Sequence, residues 1–536
     1  MKNKLIKYFT GTLITAIVIS SCAKKLDLYP TNDLTPEKAY STAAGYKSVL
    51  AKIYGTLAIT GNSGPAGNPD ISGGLDEGSQ VAFIRMLFNC QELPTDEAVV
   101  AWNDQTIHDF HDMKWNSADP FLKGIYARPI YNITLINEYI RESSDAKLAE
   151  RGITGSDAAD IKKSVAEVRF LRAYNYWVMM DLFGKSTFIT EDDLIGTNLP
   201  REISRSELFL YIENELKAID ADLASAKTIE YGRVDQGAAW ALLARIYLNA
   251  GVYTGTTRYT DAITYAKKVI GAGYSLYTGY PRVFMADNDK AKDEFMFAVN
   301  CDGLRTQAYG NTTFFAHAAC GDEGVEYGVG GGWYGYRATS AFVNLFTDNT
   351  GATDKRAMFT TSKYGTSPAQ LTITDISNFD QGPHVKKYVN IRSDGGPVSD
   401  SKKDFADIDF PVFRLSEMYL IYAEAVLRGG TGGDAATALN YINLIRTRAY
   451  GNTSGNISAG QLTLQFVLDE RGRELYWEGH RRTDLIRYGI LTNGTYLWPW
   501  KGGVSSGTAV DPKYNIFPIP ASNLVANPNL TQNTGY

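Results

Sequence analysis

Between Asp157 and Gly184 the apolar residues Val165, Val168, Leu171, Tyr174, Val178 and Leu182 recur at three- and four-residue steps. Such a stripe winds along one face of an α-helix and cannot line one side of a strand, where the period is two. The same spacing returns in Pro36–Thr56, Pro120–Arg141, Ser204–Ala226, Arg233–Gly251 and Tyr259–Gly271, and near the C-terminus in Leu415–Gly429, Asp434–Tyr450 and Thr463–Tyr488. Local signals punctuate these runs. Pro120 stands at a helix start, Ser204-x-x-Glu207 forms a capping box, and Gly184 and Gly251 stand at helix ends. Ala239, Ala244 and Ala250, with Ala423 and Ala425, are small enough to let helices approach closely. The expectation is an all-α chain whose helices pair across short loops, a tetratricopeptide-like scaffold without a clean repeat length. Scaffold is expected mainly over 36–56, 120–275 and 411–490. An irregular capping region, poor in helical period and rich in Gly, Tyr, Thr and Asn, is expected mainly over 59–115 and 276–410.

The chain opens with Lys2, Lys4 and Lys7, followed by the uncharged run Gly11–Ile19. That run is shorter than the ~20 apolar residues a bilayer span needs, so it reads as a secretory leader over 1–21. It ends in Ile19-Ser20-Ser21-Cys22, which resembles a bacterial lipobox and implies cleavage before an acylated Cys22. No later stretch is apolar enough to cross a membrane. Removing three leader lysines takes the formal charge from -6 to -9, a poor match to nucleic acid. Residues 22–536 are read as one unit of scaffold and cap. Cys90, Cys301 and Cys320 remain beyond Cys22, an odd number with no C-x-x-C pair, so at least one is a free thiol or bonds another chain.

Several constellations were weighed for chemistry. His108 and His111 are three apart on one helix face with no third ligand in sight, which favours a structural role. The alternations Asp287-x-Asp289 and Asp407-x-Asp409 are compatible with solvated loop carboxylates or with a structural calcium bracing the cap. Gly330-Gly331-Gly332 lacks the Lys-Ser/Thr of a phosphate loop and reads as a tight turn beside Trp333. In the dense charge run Glu470–Arg487, Glu478 can pair with Arg482 one turn on, whereas Glu470 and Glu474 repel and need cationic neighbours. These carboxylates read as scaffold anchors and not as a glycosidase pair, which must flank a cleft. No Ser-His-Asp order, H-E-x-x-H, Walker or Rossmann pattern occurs.

Three stretches carry a resemblance: Glu167–Tyr174 running on to Asp181-Leu182-Phe183-Gly184, Glu470-Arg471-x-x-Glu474-Leu475-x-x-Glu478-Gly479-x-Arg481-Arg482-x-Asp484-Leu485-x-Arg487, and Phe517-Pro518-Ile519-Pro520. With the lipobox, they resemble the RagB/SusD family of nutrient-uptake lipoproteins. The likeness to that family's starch-binding member extends through Glu92–Glu97, Tyr247–Gly255, Phe284–Asp289 and Tyr496–Gly503, and is weakest over 320–332 and 350–380. It implies about eight scaffold helices, a glycan site in the cap, no catalysis, and a place at the outer-membrane surface. It also implies a TonB-dependent transporter as partner and starch or malto-oligosaccharide as cargo. Matched residue by residue, the aromatic arc of that site falls on Trp102, Tyr309 and Trp333, and its polar groups on Asp76, Arg85 and Gln105.

The chemistry of a sugar suits those residue types. A pyranose has an apolar C–H face for an aromatic ring and a hydroxyl rim for carboxylate, guanidinium and amide groups. A curved row of rings suits a coiled α-glucan better than a flat chain. Val100 departs from the pattern, standing where the resembled member has a second tryptophan. A different glycan, a peptide cargo, or a surface glycoside hydrolase remain the alternatives.

Overall fold

The computed structural model describes residues 35–193, 196, 198–321, 324–360 and 371–536. The leader and Cys22 lie outside them. Among the described residues, eight helices of thirteen or more residues build the scaffold: α1 (Ala43–Gly55), α2 (Pro120–Glu142), α3 (Gly155–Phe183), α4 (Arg205–Ala218), α5 (Gln236–Leu248), α6 (Tyr259–Gly271), α7 (Leu415–Leu427) and α8 (Ala435–Tyr450). Helices α1, α2 and α4 pack on α3, and α5, α6, α7 and α8 follow one another as packed neighbours. Ala239, Ala244, Ala423 and Ala425 are fully buried where these helices meet.

Local chemistry explains the boundaries. Asp119 accepts from Leu122 N at 3.0 Å beside Pro120, starting α2. The Ser204/Glu207 capping box starts α4, and Asp235 and Asp434 cap α5 and α8. Gly184 ends α3 at φ 73°, a conformation that favours glycine. Two expected helices are shorter. Ser204–Ala226 stops at Ala218, and Arg233–Gly251 becomes α5 followed by a turn of helix, Ala250–Thr254. The long run Thr463–Tyr488 is two helices, Leu464–Leu475 and Arg481–Arg487, broken where Trp477 (φ 61°) and Gly479 (φ 83°) turn the chain.

Among the described residues, strands, which helical periodicity does not foresee, occur as three antiparallel pairs. They are β1 (Val99–Val100), β2 (Ser186–Phe188), β3 (Arg201–Ile203), β4 (Phe295–Val299), β5 (Tyr336–Arg337) and β6 (Phe410–Arg414), paired β1–β5, β2–β3 and β4–β6. The first pair closes a loop of more than two hundred residues, Val99 facing Arg337 and Val100 facing Tyr336.

The charged signature is buried. Glu470 and Glu474 are inaccessible to solvent, and Arg356 Nη1 lies 2.7 Å from one and 3.3 Å from the other. Arg446 and Arg473 complete Glu470, and Arg414 and Arg448 complete Glu474. Burial alone would raise both carboxyls, yet the arginines hold them well below the usual carboxylate range. Glu478 lies in the turn between helices, so it does not pair with Arg482. It takes Lys387 at 2.6 Å and Arg414 at 2.6 Å, while Arg482 reaches the Asn515 carbonyl at 2.7 Å. In α3, Asp181 joins three segments, accepting from Gln91 (2.7 Å), Tyr253 (2.8 Å) and Thr483 (2.9 Å).

Candidate binding site

The loop after β1 carries Trp102, and the loop before β5 carries Trp333, so their strand pairing brings the two tryptophans together. Trp102 Nε1 donates to the Trp333 carbonyl at 3.3 Å, and Ala101 N donates to Gly335 O at 2.8 Å. Gly335, at φ 103°, lies so close that a Cβ there would sit 2.3 Å from Trp102 Nε1. Both the backbone angle and the ring above require glycine.

Tyr309 stands across from Trp333, with ring centroids 6.1 Å apart at 62°. Phe405 supports Tyr309 at 5.4 Å, and the buried His317 stacks behind Trp333 at 4.7 Å and 21°. His317 Nδ1 lies 2.6 Å from Gly331 O, and Trp333 N donates to His317 O at 2.8 Å, so one residue fixes both ring and backbone. Tyr309 is 38% exposed, and Trp102 and Trp333 are half-buried.

The polar members come from the segment before and within the helix Phe83–Gln91. Arg85 N donates to Gly310 O at 3.0 Å, tying this helix to the Tyr309 loop. The Arg85 guanidinium lies 4.8 Å from the Phe314 ring centroid and 5.3 Å from that of Trp102. Its Nε is buried without a hydrogen-bond partner, and Nη1 has only a long contact, 3.4 Å, to Gly78 O. Burial pulls this guanidinium below its ordinary value, opposed by Tyr336, Asp104 and Asp76. Asp76 is exposed and caps a single helical turn, accepting from Ser79 N at 2.7 Å. A Cβ at Gly78 would lie 3.5 Å from Tyr309 Cβ and 3.7 Å from Asp76 Oδ1, so Asp76 borders the tyrosine.

Five of the six matched residues therefore converge from four separate segments. Gln105 is exposed three residues beyond Trp102 and makes no side-chain hydrogen bond among the described residues. Sequence reasoning missed Asp104, which faces Arg85, and the backing residues His317 and Phe405. No spacing pattern marks them, since each meets its partner through a long-range contact.

Other expected constellations resolve differently. Asp287 accepts from Ser393 N and Oγ at 2.8 Å each. Asp407 accepts from Gly303 N at 2.8 Å and Ser399 N at 2.7 Å. Asp409 accepts from Cys301 N at 2.7 Å and Tyr231 at 2.8 Å, and Asp289 is exposed. Of the four carboxylates compatible with a structural calcium, Asp287, Asp407 and Asp409 thus accept from N–H and O–H donors, while Asp289 faces solvent. No cluster of three or more His, Cys, Asp and Glu side chains suits a metal among the described residues. His108 and His111 face each other at 5.2 Å, and burial pushes His111 below its ordinary value. Cys90, Cys301 and Cys320 are all buried.

A signature of the SusD family matches residues 359–536. The starch-binding protein SusD of Bacteroides thetaiotaomicron is 36% identical to this chain, with all of both chains covered. The chain belongs to the SusD family. Solved family structures agree in fold. A SusD superfamily protein of Parabacteroides distasonis covers 94% of this chain and all of its own at TM-score 0.66 and 21% identity. Surface glycan-binding protein A of Bacteroides thetaiotaomicron, solved with laminarihexaose, covers 91% of this chain and 99% of its own at TM-score 0.67 and 17% identity. Val100 is fully buried in β1 and belongs to the core.

Proposed function

We propose that this protein is a cell-surface lipoprotein, anchored through Cys22, that captures starch or malto-oligosaccharide and delivers it to a TonB-dependent outer-membrane transporter. The likeness to a starch-binding relative over the full chain supports the cargo. The observation that carries the site is the partly exposed run Trp102–Trp333–Tyr309, flanked by an under-partnered Arg85 and by the carboxylates of Asp76 and Asp104. Each ring offers its face to one pyranose, and the charged groups supply hydrogen bonds to hydroxyls at the rim. Binding is proposed to involve no bond cleavage. The carboxylates of Glu470 and Glu474 are sealed from solvent and neutralised by arginine, so they cannot flank a substrate.

The test is native electrophoresis in gels containing amylose, with xylan and laminarin gels as arms for another cargo. Trp102→Ala combined with Trp333→Ala is expected to abolish retention in amylose. Undiminished retention defeats the site, retention of the wild type only by another glycan defeats the cargo, and release of reducing ends from maltoheptaose defeats the non-catalytic reading.

A further inference from the structure

Beside the arc, a second pair of rings is held by unusual means. Tyr334 follows Trp333 directly and adopts φ 57°, a left-handed conformation that bulky residues rarely take. The residues on either side of it are committed to Trp102, Trp333 through its carbonyl and Gly335 through its bare Cα. Tyr334 meets Phe379 edge to face, with centroids 6.3 Å apart at 71°. Phe379 is 36% exposed, at the tip of a loop whose neighbours Asn378 and Asp380 are also exposed.

An exposed ring on a slack loop would mean little, because single surface hydrophobics are common. This loop is not slack. The fully buried Arg337, in β5, spends its guanidinium on three loop carbonyls: Asn378 at 2.5 Å, Gln381 at 2.6 Å and Ile376 at 2.7 Å. Among the described residues no carboxylate reaches it at hydrogen-bond distance, and burial, opposed by the charge of Asp375, pulls it down to about 10. Trp500 Nε1 donates to Ile373 O at 2.9 Å, and Gln381 Oε1 accepts from Thr374 N and Asp375 N at 2.8 and 2.9 Å. A buried cation aimed only at carbonyls is a costly anchor, and what it anchors is the segment presenting Phe379. The same strand pair, β1–β5, that brings Trp102 and Trp333 together also carries Arg337.

We propose that Tyr334 and Phe379 form an additional sugar subsite that continues the aromatic arc, with Asn378 and Asp380 at its polar rim. The occupant is the same glucan chain, extended past Trp333, so the inference rests on the arc reading above. Phe379 also lies where the likeness to the family's starch-binding member is weakest. It is thus a place where this chain sets its own chain-length preference.

The experiment measures calorimetric affinity for maltotriose and maltoheptaose in the wild type, Phe379→Ala, Phe379→Tyr and the Trp102→Ala/Trp333→Ala double variant. Phe379→Ala is expected to weaken maltoheptaose about three- to tenfold, the size of one aromatic contact, while maltotriose is unchanged. Phe379→Tyr should restore the long-chain affinity, which separates loss of a ring from loss of the loop. Equal maltoheptaose affinity in Phe379→Ala and wild type overturns the subsite while the arc stands. Undiminished binding in the double variant instead overturns the arc, and the subsite with it.

Discussion

Glu470 and Glu474 are wholly sealed from solvent, whereas Tyr309 keeps 38% of its surface in it. The two regions reverse the usual assignment of charge to the outside and rings to the inside. In the segment 464–487, the carboxylates of Glu470, Glu474 and Glu478 are buried because each meets a partner from elsewhere: Arg356 and Lys387 from the cap, Arg414 from the end of β6 and Arg446 from α8. These links fasten loop-rich cap to helical scaffold. In the arc, rings stay partly exposed because their backing is complete without a cover. His317 is behind Trp333, Phe405 is against Tyr309, and Gly335 is beneath Trp102. The lesson is that charge here serves cohesion and aromatic surface serves recognition.

The largest expected effect strikes the cohesive region. Arg414→Met leaves Glu478 with Lys387 as its remaining cation and removes one cation from Glu294 and one from Glu474. Breaking one side of a buried ionic cluster costs about 3–5 kcal/mol. Urea titration followed by circular dichroism should show the midpoint falling by that equivalent. A midpoint within error of wild type would mean that these charges contribute no cohesion, and the contrast drawn here would collapse.

A smaller effect tests the border between the regions. Val100→Trp restores the aromatic that the family's starch-binding member is expected to carry, but into a fully buried strand position facing Tyr336. Overpacking of this kind costs about 1–3 kcal/mol. The variant should be less stable and bind amylose no better. A stable variant with tighter retention would put position 100 inside the site.

How much of this was legible beforehand differs between the regions for a physical reason. The scaffold helices were readable because their apolar period and caps are local. Pro120, Ser204 with Glu207, and Gly184 act within four residues of where they stand. The run 463–488 misled for the same reason. Its charges keep helical spacing, but Trp477 and Gly479 turn the chain, so Glu478 finds Lys387 and not Arg482. The arc was invisible to spacing and emerged only through resemblance, because Trp102 meets Trp333 across more than two hundred residues and Tyr309 joins from a third loop. Resemblance in turn could not reveal that Val100 points into the core, which is fixed by its register against Tyr336. Nor could it reveal Phe379, which stands where the likeness fades.

The subtlest expected effect concerns the hinge between the regions. Glu92 and Glu97 lie fully buried between the cap helix Phe83–Gln91 and the turn at Trp477–His480. Glu92 accepts from Gly479 N at 2.6 Å and Glu97 from Trp477 N at 3.1 Å. Around them stand Asp96 with Arg481, and Lys387, His480, Tyr388 and Tyr476. Burial raises Glu92 to about 7 and, together with the Glu92 charge, lifts Glu97 well above its ordinary range. A carboxyl raised in the folded state binds a proton that the unfolded chain releases. Its stabilisation is complete below the unfolded value of 4.5 and is lost as pH rises through the folded one, about 7 for Glu92 and well above the ordinary range for Glu97. Glu97→Gln keeps the hydrogen-bonding shape without the proton, so its urea midpoint should gain on wild type steadily from pH ~5 to ~8, while the buried His480 contributes equally to both chains. A gap that stays constant across that range would show that the pair holds no shared proton, and that the turn is pinned by backbone hydrogen bonds alone.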